Sequence, residues 1–484
     1  MRRLLKNTTQ RRLAIIGVLR DLLGWQNPEM IAELLDCSTK TVLSDVEAIN
    51  DYWGEHVGVE YSRMNGLRLN EALHNKTRQL ARNLMEESEA FLFLERLFFQ
   101  PNEEIEYWLN ELYISEATFY RMIKQIDTVL AEKGLILNRR PFYITAENEC
   151  WVRDFYVQLF LEKYGINEWP FDVERENVIA FIRKMNLSFE LACNDRELLE
   201  NSYLLAVTIV RTSQGFYSKA TDNLSANQRT MEKILRLRPF ADRIVHATNY
   251  CVTEHWQDEV ANSLLCSCVN GVLDKDCLET AAALERFIDE LEHIYDVSLT
   301  PEKKQYMVKR LLRIKTKYQS YPYSRTILFD SAAYFSRNAQ SQFPHFTKYV
   351  HQLLLQLERT TGDPWFSQFH FAVLAILFKE WEGLALSLDI RSSKVKILVV
   401  SDSGKSHAKM IAELIQSRFY YRVMIKIYEG SALEFHYDES FKKYDLVVTN
   451  FPIKKYPYSN LKIIDDFITE VDLSAIGAVV KEIH

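Results

Sequence analysis

"PEMIAELLDCSTKTVLSDVEAINDYW" (residues 28–53) is the stretch of sequence that decides the fold. Pro28 is favoured at the first position of a helix, and Ser38 can accept from the backbone N–H groups of the next helical turn. Val42 and Val46 then repeat at helical spacing. An Asn-Gly pair at 65–66 follows, between the short runs "VGVEYS" and "LRLN", which predicts a hairpin. Helix, turn, helix and hairpin are the order of a winged helix-turn-helix.

The same order returns further along the chain. "NEEIEYWLNELY" (102–113) precedes "ISEATFYRMIKQIDTVLAEKG" (114–134), in which Ser115 takes the place of Ser38 and Phe119 that of Val42. "LILNRRPFYITA" (135–146) then predicts a second hairpin. We therefore expect two winged helix-turn-helix units in tandem.

The predicted outer faces of these units carry hydroxyl groups, a tyrosine and cations, which suit phosphate and base-edge contacts. The candidate DNA-binding residues are Thr39, Lys40, Thr41 and Ser44 on the first recognition helix, Arg63 and Arg68 on its wing, Ser115, Thr118, Tyr120, Arg121 and Lys124 on the second helix, and Arg139 and Arg140 at the second wing tip. Arg2, Arg3, Lys6, Arg11 and Arg12 add charge at the N-terminus. The alternative is a pair of packed helical hairpins that never contact DNA.

Acidic residues oppose this local charge. Residues 1–150 contain more Asp and Glu than Lys and Arg, and Asp45, Glu47 and Glu116 are close to the proposed faces. A monomer should bind DNA weakly, because neutralising phosphates supplies much of the affinity. We therefore expect a homodimer.

Length and composition restrict the other classes of protein. A chain of 484 residues is too long for one hydrophobic core, and its net charge of −7 gives no global sign of nucleic-acid binding. Seven cysteines without a Cys-x-x-Cys pair argue against a disulfide framework and a zinc site. The longest apolar run, "FHFAVLAILF" (369–378), falls well short of the ~20 residues that cross a bilayer. We expect a cytoplasmic protein without a membrane partner, a metal or a cofactor.

The rest of the chain predicts a mainly α-helical, multidomain protein with an α/β end. Helical spacing dominates residues 150–389, in two similar halves divided near residue 273, with very apolar final helices at 256–273 and 366–388. Beyond Arg391, strand-like runs alternate with two helices, which predicts a small α/β domain with a mainly parallel sheet. The predicted domains are residues 1–72, 73–149, 150–272, 273–390 and 391–484.

This order of modules resembles the Mga/AtxA-type virulence regulators of Gram-positive bacteria over nearly the whole chain. The resemblance implies an activator-type transcription regulator, two helical phosphotransferase-system regulation domains (PRD) at 150–272 and 273–390, and a C-terminal domain like the IIB component of sugar phosphotransferases. It also implies dimerisation through the C-terminal domain. Phosphocarrier proteins of the phosphotransferase system would be partners, through phosphorylation of histidines in the regulation domains.

The positions that match the phosphorylated histidines of such domains do not hold histidine in this chain. They fall among Ser202 to Leu204, at Cys266, at Met307 or Val308, and at Leu377. His370, at the start of an apolar helix, is the remaining candidate for phosphorylation. We expect this form of regulation to be weakened or absent.

The turn "SDSGKSHA" (401–408) looks like a phosphate-binding loop. A Walker A loop needs glycine where Val399 stands, which argues against a nucleotide triphosphatase. By the resemblance, Ser401 occupies the position of the IIB nucleophilic cysteine. His407 is expected on the first helical turn, facing solvent, which leaves Ser401 without a base and makes it a poor nucleophile. We therefore expect no catalytic residue and no enzyme, although the turn could bind an anion; the alternatives are a sugar phosphotransferase component and a helical interaction scaffold.

Overall fold

The computed structural model describes most of the chain. The described residues are 1–22, 24–70, 77–189, 191, 193–218, 228–246, 259, 263–264, 275–362, 369–391, 394–432, 439–453 and 456–483. Most of the predicted helix at 256–273, including Cys266, lies outside them. The chain forms two compact units, Met1–Thr280 with Leu312–Ser331, and Ala281–Leu311 with Ala332–His484. The five predicted domain ranges stay predictions.

The first unit begins with the predicted helices and hairpin. The elements are α1 (Asn7–Leu22), α2 (Pro28–Leu34), α3 (Thr39–Trp53), β1 (Val59–Ser62) and β2 (Gly66–Leu69). The Ser38 hydroxyl accepts from the Thr41 backbone N–H, and Val42 and Ile49 are buried on the inner face of α3. These helix boundaries and the buried face agree with the sequence prediction.

Gly66 is required by the hairpin. Its φ is +96°, and a Cβ atom there would lie 2.1 Å from the carbonyl oxygen of Gln26. That contact exists because Gln26 pairs with Leu67 through two backbone hydrogen bonds of 2.7 and 2.8 Å. The segment before α2 is thereby attached to the hairpin, at a distance that only glycine allows.

A second helix, turn, helix and hairpin follow α4 (Thr77–Glu86) and α5 (Glu89–Phe99), two helices that the sequence analysis did not predict. The elements are α6 (Ile105–Leu112), α7 (Glu116–Ala131), β3 (Leu135–Arg139) and β4 (Phe142–Ala146). Ser115 accepts from the Thr118 N–H, as Ser38 does in the first copy. Phe93 of α5 packs edge-to-face against Trp108, Phe119 and Phe142, so α5 completes the core of this copy.

The remaining described part of the first unit is mainly helical. It includes α8 (Glu149–Lys163), α9 (Arg175–Ser188), α10 (Asp195–Ser213), α11 (Gln228–Leu235), α12 (Arg238–His246) and the C-terminal part of α14 (Pro301–Ser320). A buried ion pair joins α8 to α10: Arg211 donates to both carboxylate oxygens of Glu149, at 2.7 and 2.8 Å. Arg211 also donates to the Ile144 carbonyl oxygen, so β4 is held by the same side chain.

Glu162 of α8 anchors the segment after α14. Its carboxylate accepts from the backbone N–H groups of Ile327, Leu328 and Phe329, at 2.7, 2.8 and 2.9 Å. Lys133 of the second hairpin unit donates to the carbonyl oxygen of Thr326. Residues 312–331 therefore pack with the N-terminal unit.

Before its sheet, the second unit contains α13 (Lys275–Tyr295, from Ala281), the N-terminal part of α14, α15 (Ser331–Gln342, from Ala332), α16 (Pro344–Thr361), α17 (His370–Glu380) and α18 (Leu384–Arg391). The prediction of one helix through residues 366–388 is wrong. The chain breaks between α17 and α18, where Gly383 has a φ of +82°. No helix in the described ranges is both long and apolar enough to span a bilayer.

The C-terminal sheet contains β5 (Val395–Val400), β6 (Val423–Ile427), β7 (Leu446–Thr449) and β8 (Leu461–Ile463) in the order β6-β5-β7-β8. Each pairing is parallel, which confirms the predicted α/β end with its parallel sheet. Helices α19 (Lys405–Phe419) and α20 (Glu470–Ile483) pack on it through Ile411, Ile415 and Ile476. β5 is central, so the turn after it lies at the carboxyl edge of the sheet.

Candidate nucleic-acid interface

The outer face of α7 carries cations that the fold does not use. Arg121 and Lys124 are exposed, and within the part of the chain that the structure describes neither forms an ion pair. They are three residues apart, so they lie on one face of the helix. Tyr120, beside them in sequence, is 51% exposed. This face can therefore offer two charges to a polyanion.

The predicted hydroxyl contacts at the start of α7 have a structural role. The Ser115 and Thr118 hydroxyls are 2.9 Å apart, and Ser115 caps the helix. Ser38 and Thr41 repeat this arrangement at α3, with their hydroxyls 2.8 Å apart. Local capping therefore fixes these side chains before any ligand is present.

The outer face of α3 is less basic than that of α7. Lys40 is exposed and is the only cation in the α3 sequence, whereas Thr39 is half-buried and Ser44 is exposed. Glu47 is exposed on the same helix. Of the two predicted recognition helices, α7 carries more cations, Arg121 and Lys124 against Lys40 alone, although Glu116 and Asp127 balance them along the helix.

The wing cations divide into two groups. Arg68 donates to Glu60 at 2.8 Å and lies over the Trp25 ring at 4.5 Å, and Arg139 is paired with Asp127. The turn residues Arg63 and Arg140 are exposed and form no ion pair among the described residues. The wing tips, more than the strands, therefore offer charge for a phosphate contact.

A cleft of about 370 Å³ lies between the start of α2, α3 and the first wing. Thr39 and Arg63, both candidate DNA contacts, line it together with Asn27 and Ser62. Glu29 also lines it, which opposes an anion. The structure thus brings a recognition-helix residue and a wing residue to one cleft.

Several N-terminal cations are already paired. Arg11 and Arg12 bind the carboxylate of Asp45 at 2.5 and 3.1 Å, and Asp45 is only 4% exposed. Arg3 pairs with Glu132. Arg11 and Arg12 thus neutralise the charge of Asp45, which the sequence analysis counted against DNA binding. Both arginines are in turn engaged in this internal ion pair.

The turn after β5 differs from the sequence prediction. His407 is on the first turn of α19 as expected, but it is half-buried and its Nδ1 lies 2.8 Å from the Ser401 hydroxyl. Its Nε2 lies 2.6 Å from the carbonyl oxygen of Asp466. The prediction that His407 faces solvent and leaves Ser401 without a base is wrong; the loop before α20 holds the ring inward.

The acids around this turn are fixed by an amide. Asn450 donates to the carboxylates of Asp402 and Asp466, at 2.6 and 2.8 Å. The hydrogen bonds from Asn450 and then from Ser403 lower the pKa of Asp402, so it stays ionised.

His370, the candidate for phosphorylation, begins α17 with its ring 5.0 Å from the ring of His351.

Comparison with known proteins agrees with this geometry. The model of the Mga helix-turn-helix domain matches residues 73–160, which include the second helix-turn-helix, its hairpin, α4 and α5. A predicted trans-acting regulator from Streptococcus pneumoniae serotype 4 is 24% identical over 491 residues, covering 95% of this chain and 96% of that protein. The resemblance to Mga/AtxA-type regulators is confirmed.

Two further relatives are capsule synthesis positive regulators of Bacillus anthracis. AcpB is 23% identical over 208 residues, 43% of each chain, and AcpA is 21% identical over 240 residues, 49% of each chain. The chain thus matches a little under half the length of these two regulators. The residues that match the Mga domain include α4 and α5, the two helices that the sequence analysis did not predict, together with the second helix-turn-helix.

Proposed function

We propose that the protein is a DNA-binding transcription regulator, acting as an activator, that contacts double-stranded DNA through both helix-turn-helix and hairpin units. The observation that carries the proposal is the pair of exposed cations Arg121 and Lys124 on α7, which form no ion pair with any residue that the structure describes and lie inside the region that matches the Mga domain. The activator role is inferred from the names of the two capsule regulators.

The first helix-turn-helix and its hairpin are proposed to contact the DNA backbone more than the base edges. Their exposed cations that form no ion pair among the described residues are Lys40 at the start of α3 and Arg63 at the wing tip, and the acidic residues Glu29 and Glu47 are close to them in the sequence or the cleft. Phosphate contacts position a protein on the duplex, whereas base-edge contacts specify the sequence.

Replacing Arg121 and Lys124 together by alanine is expected to weaken binding to the region upstream of the protein's own gene. A lost base-edge contact costs about 1–3 kcal/mol, and each lost phosphate contact lowers the slope of log affinity against log salt by about 1. Fluorescence anisotropy over a salt series measures both quantities.

The matched control is Arg183→Ala with Lys184→Ala. These residues carry the same two charges, are exposed on α9, and lie outside the candidate interface. The control should bind as the unchanged protein does. An α7 variant with unchanged affinity and salt slope would favour the interaction scaffold instead.

The C-terminal sheet domain is proposed to hold two copies of the chain together. A dimer doubles the cations of the candidate interface, which a chain of net charge −7 requires for useful phosphate affinity. Removal of residues 392–484 is expected to convert a dimer into a monomer in sedimentation equilibrium, with the remaining helical signal in circular dichroism retained. An unchanged oligomer after truncation contradicts this part of the proposal.

Phosphocarrier proteins remain proposed partners, with weakened or absent control through histidine phosphorylation. His370 is the residue at which such control would act. The sugar phosphotransferase alternative would require a phosphoryl acceptor that passes its group on to a sugar.

A further inference from the structure

The strap, defined as residues 321–329 after α14, is held to α8 at two points. Arg325 of the strap pairs with Asp154 of α8. The Glu162 carboxylate of the same helix accepts from the three backbone N–H groups of residues 327–329. Asp154 and Glu162 are about two helical turns apart, so α8 anchors the second half of the strap.

The first half of the strap is bonded to the end of the recognition helix α7. Lys133, which follows α7, is only 6% exposed. Its ammonium group donates to the carbonyl oxygens of Ser324 and Thr326, the latter at 3.1 Å. The Tyr321 hydroxyl in turn donates to the Lys133 carbonyl oxygen at 3.2 Å. The side chain and the backbone of Lys133 are therefore both bonded to the strap.

Gly134 allows the strap to approach this closely. A Cβ atom there would lie 2.5 Å from the Tyr323 ring, and its φ of +70° favours glycine. The other side of this contact is α8, since the Tyr323 ring packs edge-to-face against Trp151 with ring centres 5.4 Å apart. The strap thus fills the space between α8 and the turn that follows α7.

This turn sets the arrangement of the proposed DNA contacts. Lys133 and Gly134 connect α7, which carries Arg121 and Lys124, to the hairpin that carries Arg140 at its tip. Lys133 is about 2.5 helical turns beyond Lys124, so the strap holds the C-terminal end of the helix, away from these cations. A shift of the strap would therefore move the recognition helix relative to its wing without occupying the DNA-binding face.

The strap continues a helix whose residues belong to both compact units. Residues 301–311 of α14 are in the second unit, residues 312–320 are in the first, and the strap begins at the next residue. A helix can carry a displacement along its length as a rigid element. A change in the second unit that displaces or turns α14 would therefore pull on the strap.

We propose that the strap couples the second unit to the second helix-turn-helix, with Lys133 as the positioning residue. The docked strap holds α7 and its wing in the arrangement that binds DNA, and release of the strap loosens them. This inference rests on the proposed DNA binding and adds the segment through which that binding is regulated. Because coupling between two sites acts in both directions, bound DNA must also favour the docked strap.

Lys133→Met in the full-length protein tests the coupling, because methionine is of similar length and removes both hydrogen bonds from the ammonium group to the strap. Affinity for the DNA upstream of the protein's own gene, measured by fluorescence anisotropy, should fall by at least about 5-fold, the low end of the range for coupled sites. In protein that already carries Arg121→Ala and Lys124→Ala, the same substitution should have a smaller effect, since the strap acts through α7. No loss of affinity, or an equal loss in both backgrounds, overturns the proposal.

The matched control is Tyr203→Phe on α10. The Tyr203 hydroxyl also donates to two backbone carbonyl oxygens, those of Gly165 and Glu168, both at 3.0 Å and outside the strap. The control should lose stability, as Lys133→Met does, and keep its affinity for DNA. If it loses as much affinity as Lys133→Met, the effect is one of general stability and the proposal is wrong.

Hydrogen exchange measures the coupling from the other side. Saturating upstream DNA should slow exchange of the amides of residues 327–329 by at least about 5-fold, because the coupling is reciprocal, and Lys133→Met should remove this protection. Strap amides that exchange equally fast with and without bound DNA overturn the coupling.

The same measurement without DNA separates this inference from the proposed function. Lys133→Met should speed exchange in the last turn of α7, whereas Tyr203→Phe should not. If the unchanged protein does not bind the upstream DNA, the proposed function fails, and the exchange of α7 still decides whether the strap holds this helix. Unchanged exchange of α7 in Lys133→Met protein overturns that hold.

Discussion

Replacing Arg211 by methionine is expected to lower the free energy of unfolding of the N-terminal unit by about 3 kcal/mol, the low end of the range for breaking a buried ion pair, because Glu149 keeps a second cation, Arg153, at 3.5 Å. Arg211 is 1% exposed and Glu149 is 9% exposed. The guanidinium group makes two hydrogen bonds to Glu149 and lies 3.7 Å from the Phe216 ring centre. Its loss removes two hydrogen bonds from the Glu149 carboxylate, which keeps the longer contact with Arg153, and one from the Ile144 carbonyl group.

The unfolding free energy can be measured by urea titration followed by tryptophan fluorescence. Arg183→Met is the matched control, because Arg183 is exposed on α9; it should change stability by less than about 0.5 kcal/mol. Glu149→Met combined with Arg211→Met should recover part of the loss, since replacing both members of a buried pair by apolar residues is often tolerated. An Arg211→Met protein as stable as the unchanged one would contradict the assigned role of this pair.

Glu162→Ala is expected to release residues 321–331 from the N-terminal unit. The substitution leaves three backbone N–H groups without their acceptor, and an unsatisfied buried donor costs about 1–3 kcal/mol. Water will reach some of these groups once the segment detaches. The free energy of local opening at residues 327–329 should therefore fall by more than the global free energy of unfolding. Hydrogen exchange at Ile327, Leu328 and Phe329 measures that opening directly.

Glu176→Ala supplies the control for this experiment, because Glu176 is an exposed carboxylate on α9. Exchange at residues 327–329 should be unaffected by it. If Glu162→Ala also leaves the exchange of these three amides unchanged, Glu162 does not anchor the segment.

The helix-turn-helix units could be predicted because their signals are local. Ser38 and Ser115 cap the helices that they precede, and Val42 and Phe119 lie on the buried faces that the periodicity indicates. The same holds for the C-terminal sheet, whose apolar runs are each a few residues long. Ser88 precedes α5 in the same way, but its side chain makes no capping hydrogen bond with the residues that the structure describes, so a serine before an apolar run does not by itself mark a capped helix.

The long-range contacts could not be predicted in this way. Asp45 meets Arg11 and Arg12 across more than thirty residues, and Arg211 meets Glu149 across 62. His407 is a different case, because it is only six residues from Ser401. Spacing placed it on the first turn of a helix, but the direction of its ring depends on Asp466, which is 59 residues further on.

The return of residues 312–331 to the N-terminal unit affects how the chain is made. On the ribosome, the first 280 residues emerge well before Ser331, which completes the same compact unit. At about 5–20 residues per second, the interval lasts several seconds. During this time Glu162 has no contact with the backbone N–H groups of residues 327–329, because these residues have not yet been made. A nascent chain at this stage exposes surface that the finished protein buries, so this interval is when a chaperone would have most to bind.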